Sequence, residues 1–278
     1  MSLKLKSLIT NALQYGCLML VSFVALLPIV WVVMTSFKSD AVANTYPPMF
    51  IFEPTISTYS DALTGGLLRF FLNSLIVAAA SVTASFAIGL PAAYALARIS
   101  FRGNQSISFW IISTRMGPPF GFIIPFYLIM SNIHLLDTWT ALIVMYLIFN
   151  LPFMVWMLKG FIQESPKEIE ESAMIDGCST LGALGRVVLP TIKPGIAATI
   201  ILSFVAAWNE FMYAVALTST QAKTLPVATS DFSGSFVTGL RWNLMSVYAT
   251  ASMLPVLVMS IFVQRYLVRG LTLGALKG

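Results

Sequence analysis

Two ionisable residues, Arg115 and Glu210, stand inside long apolar runs of this 278-residue chain. A charge at mid-bilayer costs about 2.5–3.5 kcal/mol on insertion scales, so each should face a cavity, a pathway or a partner rather than lipid. The Arg115 guanidinium can fork onto carboxylate, phosphate or sulfonate, and Pro118 and Pro119 close by open the helical ladder. The chemistry open to this pair is an ion pair, mutual or with another subunit, or direct contact with a solute. Asn209, with Trp208 before it and Tyr213 one turn later, offers an amide and aromatic faces suited to hydroxyls and C–H surfaces. Packing or interfacial anchoring is the commoner use of such aromatics. His134 has no ligand partner near it in sequence, and Cys17 and Cys178 suggest neither a disulfide framework nor a metal site. The chain contains no GxxxxGK[ST] phosphate loop, so it is not expected to be an ATPase or any other enzyme.

These residues sit in a chain composed for a bilayer. Hydrophobic residues make up 58% and charged residues 10%, with a mean hydropathy of +0.85, which excludes an ordinary soluble domain. The net charge of +5 has a topological explanation, and no nucleic-acid partner is expected. Six apolar segments, about 12–36, 70–97, 106–131, 138–160, 194–217 and 244–266, are long enough to span, which takes roughly 20 residues. The expected fold is an all-α integral membrane protein with one transmembrane domain over 1–278. Placing both termini in the cytoplasm puts eleven of the 16 basic residues inside: Lys4, Lys6, Arg98, Arg102, Lys159, Lys167, Arg186, Lys193, Arg265, Arg269 and Lys277. Lys38, Arg69, Lys223 and Arg241 then fall outside, in loops 38–69 and 218–241. That asymmetry sets the orientation.

The longest polar interruption on the basic side is the loop 165–190. Ser165, Pro166 and Glu168 are spaced as a capping box around a first short helix, which Gly177 ends in the left-handed region. Ser179 can cap a second helix with Leu181, Leu184 and Val188 on one face, and Pro190 discourages its continuation. Glu168, Glu170 and Glu171 read as a solvated helix face.

Glu171-Ser172-Ala173, Gly177, Val187, Leu189 and Pro190 resemble the EAA motif of ABC importer permeases, which runs Glu-Ala-Ala, three residues, Gly, nine residues, Ile-x-Leu-Pro. Ser172 replaces Ala and Val187 replaces Ile, and the spacing is kept. Asn73-Ser74, Trp208-Asn209-Glu210, Thr224-Leu225-Pro226 and the ending from Arg269 to Gly278 are similar to the carbohydrate importers, in particular the maltose-permease-like second subunit.

The resemblance implies a type I importer permease in the bacterial cytoplasmic membrane. It implies a second homologous permease, two ATP-binding subunits that use ATP and Mg, and an external solute-binding protein; this chain would bind no cofactor itself. Disaccharide, polyol, glycerol phosphate and sulfonated sugar all remain open as solutes. Glu171, Ala173, Met174, Gly177, Leu181, Leu184, Leu189 and Pro190 would form the element that couples to the ATPase, with Glu171 ahead of its two neighbours as a docking residue. Arg115, Trp208, Asn209, Glu210 and Tyr213 would line the path. Ser233, Gly234, Ser235 and Gly239 would belong to a loop that reaches into the binding protein, and the tail from Leu271 would enter the ATPase dimer. In the maltose system the sugar lies mainly against the other permease, so a structural partner making no solute contact is one alternative. A standalone channel or ion-coupled carrier using Arg115 and Glu210 is the other.

Overall fold

Away from water a backbone must satisfy its own polar groups, and a chain with apolar runs of this length does so as helix. The computed structural model describes residues 3–232 and 240–274, and every regular element among them is helical. In chain order these are α1 (Leu3–Ser36), α2 (Asp40–Ala43), α3 (Ser57–Thr64), α4 (Leu67–Arg98), α5 (Asn104–Ser113), α6 (Pro119–Asn132), α7 (Trp139–Glu164), α8 (Lys167–Ile175), α9 (Thr180–Ala183), α10 (Leu189–Thr191), α11 (Lys193–Trp208), α12 (Met212–Leu217), α13 (Leu225–Ser230) and α14 (Trp242–Gly274). A 3₁₀ turn at Thr114–Met116 follows α5, and a π turn at Leu184–Val188 joins α9 to α10.

Among the described residues four stretches are long and apolar enough to cross a bilayer as single helices: Thr10–Ser36, Leu67–Arg98, Trp139–Glu164 and Trp242–Phe262. They correspond to four of the six expected spans. The other two are broken, each for a local reason. Across 106–131 the chain leaves helix at Gly117 and Pro118, both extended, because a residue preceding proline is driven out of the α region and two prolines follow in a row. Across 194–217, α11 stops at Trp208 and α12 restarts at Met212. The segment Thr180–Thr191 meets α11 at 80°, with Pro194 in the first turn of α11, where its missing N–H costs nothing.

The chain divides into two units. In the first, Met1–Leu67 with Ala228–Ser252, α3 is tied to the start of α14. Asn243 Nδ2 donates to Thr58 Oγ1 at 3.4 Å and Thr58 Oγ1 donates to the Lys38 carbonyl at 3.3 Å. Tyr248 Oη reaches the carbonyls of Ala62 and Gly65 at 3.5 and 3.4 Å.

In the second unit, Leu68–Val227 with Met253–Gly278, α7 packs against α11 over a core of Met145, Met154, Leu158 and Ile162 on one side and Ala198, Ile201 and Phe204 on the other. Gly195 allows the close approach: a Cβ there would lie 2.4 Å from Phe161 Cγ, and small residues are what bring membrane helices together. Buried hydroxyls bond back within their own helices, Ser85 to the Ser81 carbonyl and Thr199 to that of Gly195, both at 2.7 Å.

Candidate functional site

The loop 165–190 folds as two short helical pieces, and most of its predicted devices are present. Helix α8 ends in a Schellman motif, with Cys178 N–H donating to the Ala173 carbonyl at 3.0 Å and Gly177 N–H to that of Met174 at 3.1 Å. Gly177 sits at φ +90°, a conformation that costs a residue with a Cβ roughly 1–2 kcal/mol. Ser179 caps α9, its Oγ accepting from Gly182 N–H at 3.2 Å. The capping box is not formed: α8 begins one residue later, Pro166 occupies the cap position and no side chain bonds there. The carbonyl of Ser165 is used instead by Arg98. Pro190 does not stop the helix at once, since the π turn before it leaves the proline in the first turn of α10.

The acidic face is not uniformly solvated. Glu171 is exposed, but Glu170 is only 4% exposed. Its Oε2 accepts from Arg98 Nε at 2.8 Å, and its Oε1 accepts from the Tyr94 hydroxyl. Arg98 Nη2 donates to the Ser165 carbonyl at 3.0 Å. One guanidinium at the end of α4 thus holds the end of α7 and the middle of α8 together. This salt bridge is buried. In the sequence Arg98 counts only as one of the basic residues expected on the cytoplasmic side. The available signal was that an arginine at the end of an apolar run needs an acceptor, and Glu170 is one of several carboxylates offered by the next basic-side loop.

Burial also sorts the apolar residues of the loop. Leu181 is 77% exposed and Ile175 86%, with Met174 and Glu171 open beside them. Leu184, expected as a contact, is 7% exposed and belongs with Val188 to the loop's own interior. Ala173 and Leu189 are half-buried, and Pro190 is exposed.

Arg115 and Glu210 do not pair with each other. The Arg115 guanidinium lies over the Phe153 ring at 4.8 Å, a cation–π contact. The Glu210 carboxylate is turned onto its own chain, accepting from the amides of Tyr213 at 2.8 Å and Ala214 at 3.1 Å. It caps the N-terminus of α12 and so explains why the helix can break there. Asn209 is exposed, though its Nδ2 donates to the Val205 carbonyl at 3.0 Å. Trp208 and Tyr213 do not present open faces to a solute. Trp208 is 1% exposed and packs against Phe71 and Phe204; Tyr213 is buried against Phe149. Ser233, Gly234, Ser235 and Gly239 lie outside the described residues.

At the other end of α7 two sequence features meet. Asn73 Nδ2 donates to the carbonyls of Gln221 and Lys223 at 2.8 and 2.9 Å, and its Oδ1 accepts from Trp139 Nε1 at 2.9 Å. Ser74 Oγ accepts from Leu225 N–H at 2.8 Å. Asn73-Ser74 and Thr224-Leu225-Pro226 are therefore two halves of one junction. Beside it Asp137 accepts from the amides of Ser219, Thr220, Gln221 and Ala222 and from the hydroxyls of Ser219 and Thr220, at 2.9–3.2 Å. Partial burial alone would raise this carboxyl, but the hydrogen bonds outweigh it and hold Asp137 well below the usual carboxylate range. A depressed pKa contributes stability that is complete at neutral pH and declines only as pH falls below about 3.9. Asp137→Asn should therefore speed amide hydrogen exchange across 219–222 at pH 7, whereas the unaltered chain keeps its protection down to about pH 4. Equal exchange in the two proteins at pH 7 would show that the latch is not formed.

A family model described as "Binding-protein-dependent transport system inner membrane component" matches residues 85–273, from the middle of α4 through the loop 165–190 and into α14. The chain belongs to this family. It is accordingly a permease component of an ABC transport system. Among its relatives, a sulfoquinovosyl glycerol transport system permease protein of Agrobacterium fabrum is 37% identical over 91% of this chain and 89% of the relative. A trehalose/maltose transport system permease protein of Thermococcus litoralis is 32% identical over 93% and 94%. In fold the chain resembles a chain of a bacterial ABC transporter involved in the import of the acidic polysaccharide alginate, with TM-score 0.74 and 24% identity over 94% of this chain and 97% of that one. Membership places the loop 165–190 and the Arg98–Glu170 strut within the matched region.

Proposed function

We propose that this chain is one of two transmembrane subunits of an ATP-driven importer for a sugar or sugar-like solute in the bacterial cytoplasmic membrane. It crosses six times, the broken segments 106–131 and 194–217 each serving as a span, with both termini in the cytoplasm. A homologous permease completes the pathway, an external solute-binding protein delivers the solute, and two ATP-binding subunits hydrolyse MgATP at the cytoplasmic face. The observation that carries this reading is the exposed rim of Glu171, Met174, Ile175 and Leu181 on a loop whose other side is strutted to the spans by Arg98 and Glu170. Apolar side chains left open on a rigid support are a docking surface. The family resemblance makes the ATP-binding subunit its occupant.

Within the loop, Gly177 fixes the angle between the two helical pieces, Leu184 holds them together, and Ala173, Leu189 and Pro190 shape the rim. Arg115, exposed toward one side of Phe153, and the exposed Asn209 are the path residues open to a solute; Glu210 keeps the break between α11 and α12 in place. The chemistry of the relatives' solutes, a sulfonated sugar glycerol and disaccharides, supports a polyhydroxylated cargo. Uptake into vesicles provides the test. Labelled solute should accumulate only when this chain, the second permease, the ATP-binding subunits, the binding protein and ATP are all present. Accumulation with this chain alone would identify a channel or carrier instead.

A further inference from the structure

The first unit holds a cavity of about 410 Å³. It is walled by the end of α1, by α2 and the segment after it, and by the start of α14, with Trp31, Lys38, Tyr46, Trp242 and Ser246 among its lining. Lys38 is 2% exposed, and its Nζ lies over the rings of Trp31 at 4.1 Å and Phe52 at 5.2 Å. Among the described residues no carboxylate is within ion-pair distance of it. An ammonium held by aromatic faces is poorly compensated, because a ring quadrupole replaces only a small part of its hydration. An anion in the cavity would supply the rest, and a volume of this order suits a small organic group.

The depth of the cavity selects the source of that anion. It lies where two helices of membrane length end, Thr10–Ser36 and Trp242–Phe262, and Trp31, Trp242 and Tyr46 are the aromatic types that mark the bilayer interface. That is the level of lipid phosphates. Below it, the last turns of the α1 span leave Leu26, Leu27 and Val30 exposed, an apolar track on which an acyl chain can lie. A zwitterionic headgroup carries its own cation, so a single lysine discriminates in favour of net negative charge.

We propose that this cavity is a binding site for the phosphodiester headgroup of an anionic phospholipid, with the Lys38 ammonium on the phosphate and Trp31 and Trp242 flanking it. The site is independent of the loop 165–190, and its test does not depend on transport. Native mass spectrometry of the purified full-length chain, titrated with phosphatidylglycerol or phosphatidylcholine, should show at least tenfold tighter retention of the anionic lipid. Lys38→Gln should abolish that preference and Lys38→Arg should keep it, the folded state of each being checked by thermal unfolding. If Lys38→Gln fails to fold, the comparison of the two lipids on the unaltered chain still decides. Equal retention of both lipids overturns the site. Free glycerol phosphate that binds as tightly as the lipid, with the same dependence on Lys38, overturns the lipid as its occupant.

Discussion

Glu170→Ala is expected to destabilise the permease by about 3–5 kcal/mol and to cut ATP-driven uptake severely, because it strips a buried arginine of its counter-charge. The Arg98 side chain is nearly fully buried and its Nη1 already has no hydrogen-bond partner, so loss of the carboxylate leaves the guanidinium bonded only to the Ser165 carbonyl. The Tyr94 hydroxyl loses its acceptor in the same step. Stability and coupling can be separated by removing both charges. In Arg98→Met/Glu170→Leu no ion is left buried alone, and most of the lost stability should return, since apolar replacement of a buried pair is often neutral. The Ser165 carbonyl, however, is no longer held by Nη2. Uptake should therefore stay low in the double variant while its melting temperature recovers. Full recovery of both would reduce the strut to a packing contact.

Leu181→Asp should do the reverse. The side chain is 77% exposed, so the substitution should move the stability of the isolated chain by no more than about 0.5 kcal/mol. If Leu181 is an anchor in a pocket of the ATP-binding subunit, its loss costs more than about 2 kcal/mol, or roughly 30-fold in affinity. Glu171→Gln on the same rim should cost much less, at most about 1 kcal/mol, because an exposed ion pair gains little over water. Pull-down of the ATP-binding subunit by each variant, alongside thermal unfolding of the permease alone, measures both quantities. The ordering of Leu181 over Glu171 is the informative result. It reverses the weight that the motif, named for its glutamate, would suggest.

Much of this architecture was legible in the residues. Charge-free runs with basic ends gave the membrane class, and four of the six runs are single helices. Gly177 and Ser179 were readable as local devices because a left-handed cap and a hydroxyl cap each depend on a few neighbouring residues. What escaped was long-range pairing. Glu170 and Glu171 are adjacent and chemically alike, yet one is buried against Arg98, 72 positions away, and the other is open. Nothing in a nine-residue helix with three carboxylates says which of them turns inward. Asp137 carries no mark in the sequence because most of its partners are backbone amides more than 80 residues later, and amides are the same whatever the side chain. The breaks within 106–131 and 194–217 show the opposite case. The prolines announced the first, while the second needed Glu210, whose apparent task as a pathway charge concealed its work as a helix cap. Trp208 and Tyr213 have the chemistry of solute contacts, yet both are buried against other rings.

If ATP-driven motion enters this chain through the exposed rim of the loop 165–190, Leu181→Asp must uncouple the transporter. The most direct test measures solute uptake and solute-stimulated ATP hydrolysis together, in proteoliposomes holding the complete transporter with either the unaltered chain or Leu181→Asp. Both activities should fall to background in the variant, although the permease remains folded in the membrane. Undiminished solute-stimulated hydrolysis in the variant would rule out entry of that motion through the rim.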